Sequence, residues 1–246
     1  MGKTILIFWI LFCSVNAICQ TDRIFHISEG VITTSLQKEI DSLKNLNAIF
    51  YEDNQYLVTR TCSGEWGGTV KFENKKTGKV YACSATCAVS VHKIDRKYYV
   101  TSTLAHGSGS CEVIEITDPE EMEIYKATKP RKVKGKKVKY VGDDESKSNY
   151  GTKKLIDSYG KMILGSFVFE GHFFHIVKER KRDFKHQLSI AKIENGEFKI
   201  AQIITHEDVF TYDRNVLKFN NGRIMIPIKG GYLDIYGNEI KILKYN

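Results

Sequence analysis

The 246-residue chain is poor in proline, with 3 residues, and beyond its first residues it has no apolar run long enough to span a membrane. Scarce proline, together with 13 Tyr and 13 Phe, excludes a low-complexity or mostly disordered chain. Signatures of zinc enzymes and of EF-hand calcium loops are also lacking, so we expect no metal and no cofactor. What remains is a globular protein of ordinary apolar content.

Residues 1–17 have the organisation of a secretory signal peptide. Lys3 precedes the apolar stretch Ile5–Cys13, and small residues follow at the positions that a signal peptidase reads. The isoleucine before Cys19 does not fit a lipoprotein signal, in which that position is small. We therefore predict a secreted, periplasmic or extracellular protein without a transmembrane segment, in which residues 18–246 form a single β-rich domain.

The cysteines of the exported chain are typical of structural disulfides. Four of them fall within 50 residues: Cys62, Cys83, Cys87 and Cys111. Of the three possible pairings we predict Cys62–Cys83 with Cys87–Cys111, because each bond would enclose one predicted strand-turn-strand unit. Cys19 is left over and is either free or available to bridge two chains.

Alternation of apolar and polar residues with period two dominates the chain, between Gly, Asn and Asp residues that mark turns. It predicts about a dozen strands joined by tight turns, and Asn195-Gly196 gives the clearest hairpin signal. Such short connections leave little room for βαβ crossovers, so we predict an all-β antiparallel fold. His172 and His175 fall in one predicted strand, where a spacing of three places them on opposite faces and not in a shared metal site.

Two further elements are predicted near the N-terminus. A short helix starts with a capping box at Thr34 and ends at Asn45 or Asn47, and one apolar stripe along it packs against the sheets or covers an edge. Before it, the stretch Ile24–Ile32 could pair with the C-terminal strand and close the fold.

The segment 88–124 resembles one blade of a β-propeller. It has an apolar inner strand, a polar turn, an aromatic second strand, and a third strand that ends in Ile-Thr-Asp-Pro before an acidic tail. The segments 48–84, 159–204 and 209–245 repeat the strand rhythm without that ending. At about 45 residues a blade, the resemblance implies a propeller of about five blades, with a β-sandwich as the alternative. It carries no family-specific catalytic motif.

The charge of the chain is concentrated in one place. Of the 37 Lys and Arg residues, eight lie in the acid-free run 126–139, and apart from this run and Lys3 the chain is almost neutral. Such runs often bind polyanions; outside the cell these would be anionic glycans or envelope lipids, and no nucleic acid is expected. The alternative is a solvated, mobile insertion at about 126–147, balanced by the acids at its end. The candidate polyanion-binding residues are Lys129, Arg131, Lys132, Lys134, Lys136 and Lys137.

Two glycine-containing loops supply candidate ligand-binding residues. In the loop 62–68, Trp66 stands beside Glu65 among three glycines, so the indole either stacks on a sugar ring or folds back as a plug beside the disulfide. In the loop 105–110, His106 could act as a base or a ligand, and a flexible hairpin loop is the alternative.

These features support three hypotheses about function. The leading one is a secreted, non-catalytic β-propeller-like module that binds a ligand or partner, such as a glycan or another polyanion. An alternative is a glycan-processing hydrolase that uses Glu65 with one of Glu207, Asp208 and Asp213. A second alternative is a structural or assembly protein of the envelope, with Cys19 pairing between chains.

Overall fold

The computed structural model describes residues 24–46, 49–181, 185–213 and 215–245, which form five β-sheets and one α-helix. Every strand pair in these residues is antiparallel except one, so the predicted all-β antiparallel fold is confirmed. The predicted signal peptide and Cys19 lie outside the described residues. Within them, no helix has the length and apolar character needed to cross a membrane.

The described chain begins with β1 (His26–Val31) and α1 (Thr34–Leu46). Sheet 1 and sheet 2 follow as two antiparallel meanders. Sheet 1 contains β2 (Tyr51–Glu52), β3 (Tyr56–Arg60), β4 (Thr69–Asn74) and β5 (Val80–Ser84). Sheet 2 contains β6 (Ala88–Ile94), β7 (Lys97–Leu104) and β8 (Ser110–Ile116).

A long connection over residues 117–152 then leaves sheet 2. It contains β9 (Glu123–Ile124), which pairs with β5 at the edge of sheet 1, and a separate two-stranded hairpin of β10 (Arg131–Val133) and β11 (Lys136–Val138). The chain returns to sheet 2 as β12 (Lys153–Tyr159), which pairs with β8.

Two further meanders complete the described chain. Sheet 3 contains β13 (Lys161–Phe169), β14 (His172–Arg180), β15 (His186–Glu194) and β16 (Glu197–Thr205). Sheet 4 contains β17 (Leu217–Lys218), β18 (Ile224–Ile228), β19 (Gly231–Tyr236) and β20 (Glu239–Lys244). The sequence predicted about five repeats, whereas the described residues give four sheets of this size and one small hairpin.

The N-terminal elements complete sheet 4. β1 pairs with β20 in parallel, from His26 opposite Glu239 to Val31 opposite Lys244, so the predicted pairing of the two ends is confirmed. α1 is also confirmed, although its first turn is capped by the Thr33 hydroxyl, which accepts a hydrogen bond from the Leu36 amide at 3.3 Å. The helix buries Ile40 in an apolar cluster on sheet 4.

Apolar clusters fill the space between consecutive sheets. Tyr56 of sheet 1 packs edge-on against Tyr98 of sheet 2, with ring centres 5.9 Å apart. Between sheets 2 and 3, Val113 and Ile163 share a smaller cluster, and a larger cluster joins sheets 3 and 4. Because these clusters hold most of the buried apolar side chains, they supply the main favourable term in folding.

The long connection changes the repeat that the sequence indicated. Residues 88–116 form three strands of sheet 2, as the resemblance to a propeller blade implies. The acidic tail of that segment, however, contributes β9 to the preceding sheet, and the fourth strand of sheet 2 is β12, 36 residues after β8.

The predicted disulfide pairing is wrong. The structure joins Cys62 to Cys87, whose Cα atoms are 4.4 Å apart, whereas Cys83 and Cys111 are free, buried thiols. Cys62 follows β3 and Cys87 precedes β6, so the turns at these strand ends bring the two together. Cys83 packs between sheets 1 and 2 and Cys111 between sheets 2 and 3, so neither can reach the partner that spacing suggested.

Candidate ligand-binding surface

The loop that carries Trp66 (residues 61–68, the Trp66 loop) joins β3 to β4. Its single 3-10 turn over Gly64–Trp66 needs glycine at both ends, because Gly64 and Gly67 have φ of 62° and 110°. The Cys62–Cys87 disulfide fixes the base of the loop. Trp66 is 61% exposed, so the indole faces solvent and is not the core plug that was the alternative.

The structure brings two other sequence candidates together beside Trp66. His106, in the loop between β7 and β8, places its Nδ1 against Oε1 of Glu65. Both side chains are largely exposed, and they connect the loops of sheets 1 and 2. Glu65 and His106 therefore link the loops of sheets 1 and 2 beside the residue that carries the exposed indole.

The 117–152 connection packs directly against Trp66. The Lys147 ammonium donates a hydrogen bond to the Trp66 carbonyl oxygen at 2.8 Å. Gly142, with φ of 85°, lies so close that an added Cβ would be 2.7 Å from the Trp66 Cβ. Residues on both sides of Glu145 thus touch the Trp66 loop, and the connection is docked against that loop.

Glu145 holds the connection to sheet 1 from within. Its carboxylate is 8% exposed and accepts hydrogen bonds from the hydroxyls of Ser63 at 2.5 Å, Thr69 at 2.6 Å and Thr61. Burial alone raises the pKa of Glu145, but the three hydroxyl donors outweigh it, and the pKa lies below its usual value. Because the ionised carboxylate of Glu145 finds its three hydrogen-bond donors only at this place, the connection docks on sheet 1 in one position.

The basic run folds into a hairpin, which we call the basic hairpin (β10 and β11, Arg131–Val138). Its two-residue turn, Lys134-Gly135, has positive φ at both positions, as the favoured hairpin turns require. These residues therefore form a regular hairpin, and its side chains are solvated, as the alternative interpretation expected. Lys132 and Lys137 lie directly opposite each other across the two strands.

Two aspartates at the base of the basic hairpin hold it to the rest of the connection. The Asp143 carboxylate accepts hydrogen bonds from the Arg131 guanidinium at 3.0 Å and from the Tyr140 amide at 2.8 Å. The Asp144 carboxylate accepts one from the Thr128 amide at 3.1 Å. The acids that the sequence placed after the basic run thus fix the position of the hairpin and balance only part of its charge.

All six candidate polyanion-binding residues are exposed: Lys129, Arg131, Lys132, Lys134, Lys136 and Lys137. Arg131 is already paired with Asp143. Like charges opposite each other in a ladder are unfavourable, so the pair of Lys132 and Lys137 costs stability that a bound anion would restore. A second, shorter basic segment covers residues 178–182. It differs from the basic hairpin in exposure, because Lys178 is buried and paired with Asp208. Arg182 lies outside the described residues.

Two carboxylates of the hydrolase hypothesis, Glu207 and Asp208, are paired with lysines. Glu207 lies 3.5 Å from the Lys244 ammonium, and Asp208 accepts a hydrogen bond from Lys178 at 2.8 Å. Burial raises the pKa of Asp208, but the Lys178 ammonium outweighs it and lowers the pKa, the opposite of what a general acid needs. Asp213 lines a cleft of 380 Å³ beside the disulfide, and Glu65, Glu207 and Asp208 do not line it.

Sequence reasoning missed Gly142, Glu145 and Lys147, which join the connection to the Trp66 loop. The sequence signal was a run of acids after a basic run, which indicates charge balance but not which acid is buried. Among the described residues, no group of three or more His, Cys, Asp and Glu side chains is arranged to hold a metal ion.

Comparison with known proteins gives no family for this chain: no protein-family model matches it, and no curated protein matches it at a significant level.

Proposed function

We propose that this protein is a secreted, non-catalytic binding module that holds an acidic glycan on the surface formed by the Trp66 loop and the basic hairpin. The observation that carries the proposal is the contact of Lys147 and Gly142 with Trp66. Through this contact, an exposed aromatic ring and a dense group of positive charges belong to one surface.

The chemistry of that surface fits a sugar that carries sulfate or carboxylate groups. The face of the Trp66 indole can stack on the apolar face of a sugar ring, and Glu65 with His106 can hydrogen-bond to its hydroxyls. The lysines of the basic hairpin can bind the acidic groups of neighbouring sugars and release condensed counterions. The two halves of the surface therefore recognise different parts of one polymer.

We also propose that the four large sheets form a propeller-like ring. Apolar clusters join sheets 1 and 2, 2 and 3, and 3 and 4. Sheet 4 meets sheet 1 where Arg60 donates to the Asn215 side chain at 3.3 Å and where the Lys218 ammonium lies 5.6 Å from the centre of the Tyr51 ring. A crystal structure with two stacked layers of sheets in place of a ring would contradict this arrangement.

Export is part of the proposal and rests on two observations. The first residues have the pattern of a signal peptide. The Cys62–Cys87 disulfide is compatible with an oxidising compartment, where anionic glycans are available and nucleic acid is scarce.

The experiment is a binding titration with a sulfated oligosaccharide, compared with a neutral oligosaccharide of equal length. We expect Trp66→Ala to weaken binding by about five- to tenfold, the loss of one stacked ring. The double variant Lys132→Gln, Lys137→Gln should weaken it too, with a smaller dependence of affinity on salt.

Matched controls remove similar groups from other surfaces. Tyr236→Ala removes another exposed aromatic ring, and Lys199→Gln with Lys241→Gln removes two exposed strand lysines. Binding that persists in Trp66→Ala and in the lysine double variant would contradict the proposal. Equal affinity for DNA or for anionic lipid vesicles would show a general polyanion site and contradict the assignment to a glycan.

A further inference from the structure

A second cavity lies where sheets 4, 1 and 2 meet. It has a volume of 310 Å³, at the lower end of the range for small-molecule sites, and lies between β17 and the adjoining ends of β3 and β6. Its polar side chains are those of Thr59, Arg60, Asn215 and Lys218. Phe50 and Val89 contribute to an apolar wall, and none of the described residues that line the cavity is Asp or Glu.

Lys218 lines this cavity, and among the described residues no Asp or Glu side chain forms an ion pair with its ammonium. Its ammonium lies 3.5 Å from the Val91 carbonyl oxygen and 5.6 Å from the centre of the Tyr51 ring. Burial, and then the positive charge of Arg60, lower the pKa of Lys218 to about 8. The charged form of the Lys218 side chain is therefore destabilised in the folded protein, as expected for a cation removed from water without an anion beside it.

Arg60 is held firmly in place at the other side of the cavity. Its guanidinium donates to the Ala88 carbonyl oxygen and to the Asn215 side chain, and it stacks 4.3 Å above the Phe50 ring. Arg60 is thus fixed by a carbonyl, an amide and an aromatic ring before any anion binds. Binding of an anion between the two cations would therefore cost little conformational entropy at Arg60.

We propose that this cavity binds a small organic acid, with its carboxylate between Lys218 and Arg60 and its apolar body against Phe50 and Val89. The acid would supply the negative charge that Lys218 lacks. Because this cavity and the Trp66 surface share no lining residue, the proposal is independent of glycan binding, and either can fail without the other.

The test is a calorimetric titration of the whole protein with benzoate, which combines a carboxylate with a flat apolar body. Benzamide keeps the body without the charge, and acetate keeps the charge without the body. We expect benzoate to bind at least tenfold more tightly than either, and Lys218→Met to weaken benzoate binding at least tenfold. Lys192→Met, which removes a lysine that lies over the Phe174 ring, should leave it unchanged.

A second measurement needs no substitution. Acylation of lysines by an amine-reactive reagent, located by mass spectrometry, should be slowed at Lys218 by benzoate and unchanged at Lys192. Equal affinities for benzoate and benzamide, full binding by Lys218→Met, or no benzoate binding up to about 10 mM would overturn the proposal.

Discussion

The Lys147 ammonium donates a hydrogen bond to the carbonyl oxygen of Trp66, at 2.8 Å. These residues are 81 positions apart in the chain, and the bond joins the connection that carries the basic hairpin to the loop that carries the exposed indole. An aromatic ring and a cationic hairpin that the sequence presents as separate features are thus carried by two segments that contact each other.

The first prediction concerns Glu145. Glu145→Ala leaves the buried hydroxyl of Thr69 and the half-buried hydroxyls of Thr61 and Ser63 without their shared acceptor, so we expect the free energy of unfolding to fall by about 2–3 kcal/mol. Urea denaturation measures this change. Glu121→Ala, which removes an exposed glutamate of the same connection, is the matched control and should change stability by less than about 0.5 kcal/mol.

Glu145→Ala should also weaken binding of a sulfated oligosaccharide, because the basic hairpin is then held less firmly beside Trp66. A variant with full stability and full affinity would show that Glu145 does not dock the connection.

The second prediction concerns the cysteines. Burial raises the pKa of the Cys83 and Cys111 thiols to about 12, so at pH 8 neither presents the thiolate that alkylating reagents need. Iodoacetamide should label both only after denaturation, without any reductant, and should label Cys62 and Cys87 only after reduction. Peptide mapping by mass spectrometry distinguishes the four sites. A Cys62–Cys83 bond in the secreted protein would contradict the structure.

The third prediction concerns acid stability. His172 and His175 lie on opposite faces of β14, as their spacing predicts, and only His175 is buried. Its Nδ1 lies 2.8 Å from the Ser166 hydroxyl, and burial lowers the pKa to about 3. The unfolded chain takes up a proton below its ordinary pKa of about 6.5, and the folded chain does not, so stability falls as the pH drops from 6.5 towards 3.

His175→Gln removes that proton uptake. The slope of unfolding free energy against pH over this range should become shallower by about 1.4 kcal/mol per pH unit, the value for one proton. His172→Gln is the matched control and should leave the slope unchanged. Equal slopes for the wild type and His175→Gln would contradict the assignment of a buried neutral imidazole.

Local pattern was enough to predict most strands and the helix, because alternation and turn residues act over a few positions. β12 is the instructive exception. A bulge between Lys154 and Ile156 breaks the period-two pattern there, and the strand pairs with β8 across a connection of 36 residues. Neither the broken pattern nor the distant pairing can be inferred from neighbouring residues.

The candidate surface was predictable in its parts and not in its assembly. Three glycines around Trp66 left an exposed indole and a core plug as alternatives, and the run 126–139 indicated the charge. The contact between the Trp66 loop and the 117–152 connection depends on which of three consecutive acids is buried, and of these only Glu145 accepts hydrogen bonds from Ser63 and Thr69. The prediction of the disulfide pairing was wrong for the same reason, because the spacing of cysteines does not tell which strand ends meet in the fold.

The most direct test of the central claim uses the emission of Trp66 itself. The chain has 2 tryptophans, and because Trp9 lies in the predicted signal peptide, the secreted protein is expected to carry Trp66 alone. The account predicts that a sulfated oligosaccharide shifts or quenches this emission, that its neutral counterpart of equal length does so much less, and that Lys132→Gln with Lys137→Gln weakens the response. Emission that stays constant while the oligosaccharide binds would contradict a surface shared by Trp66 and the basic hairpin.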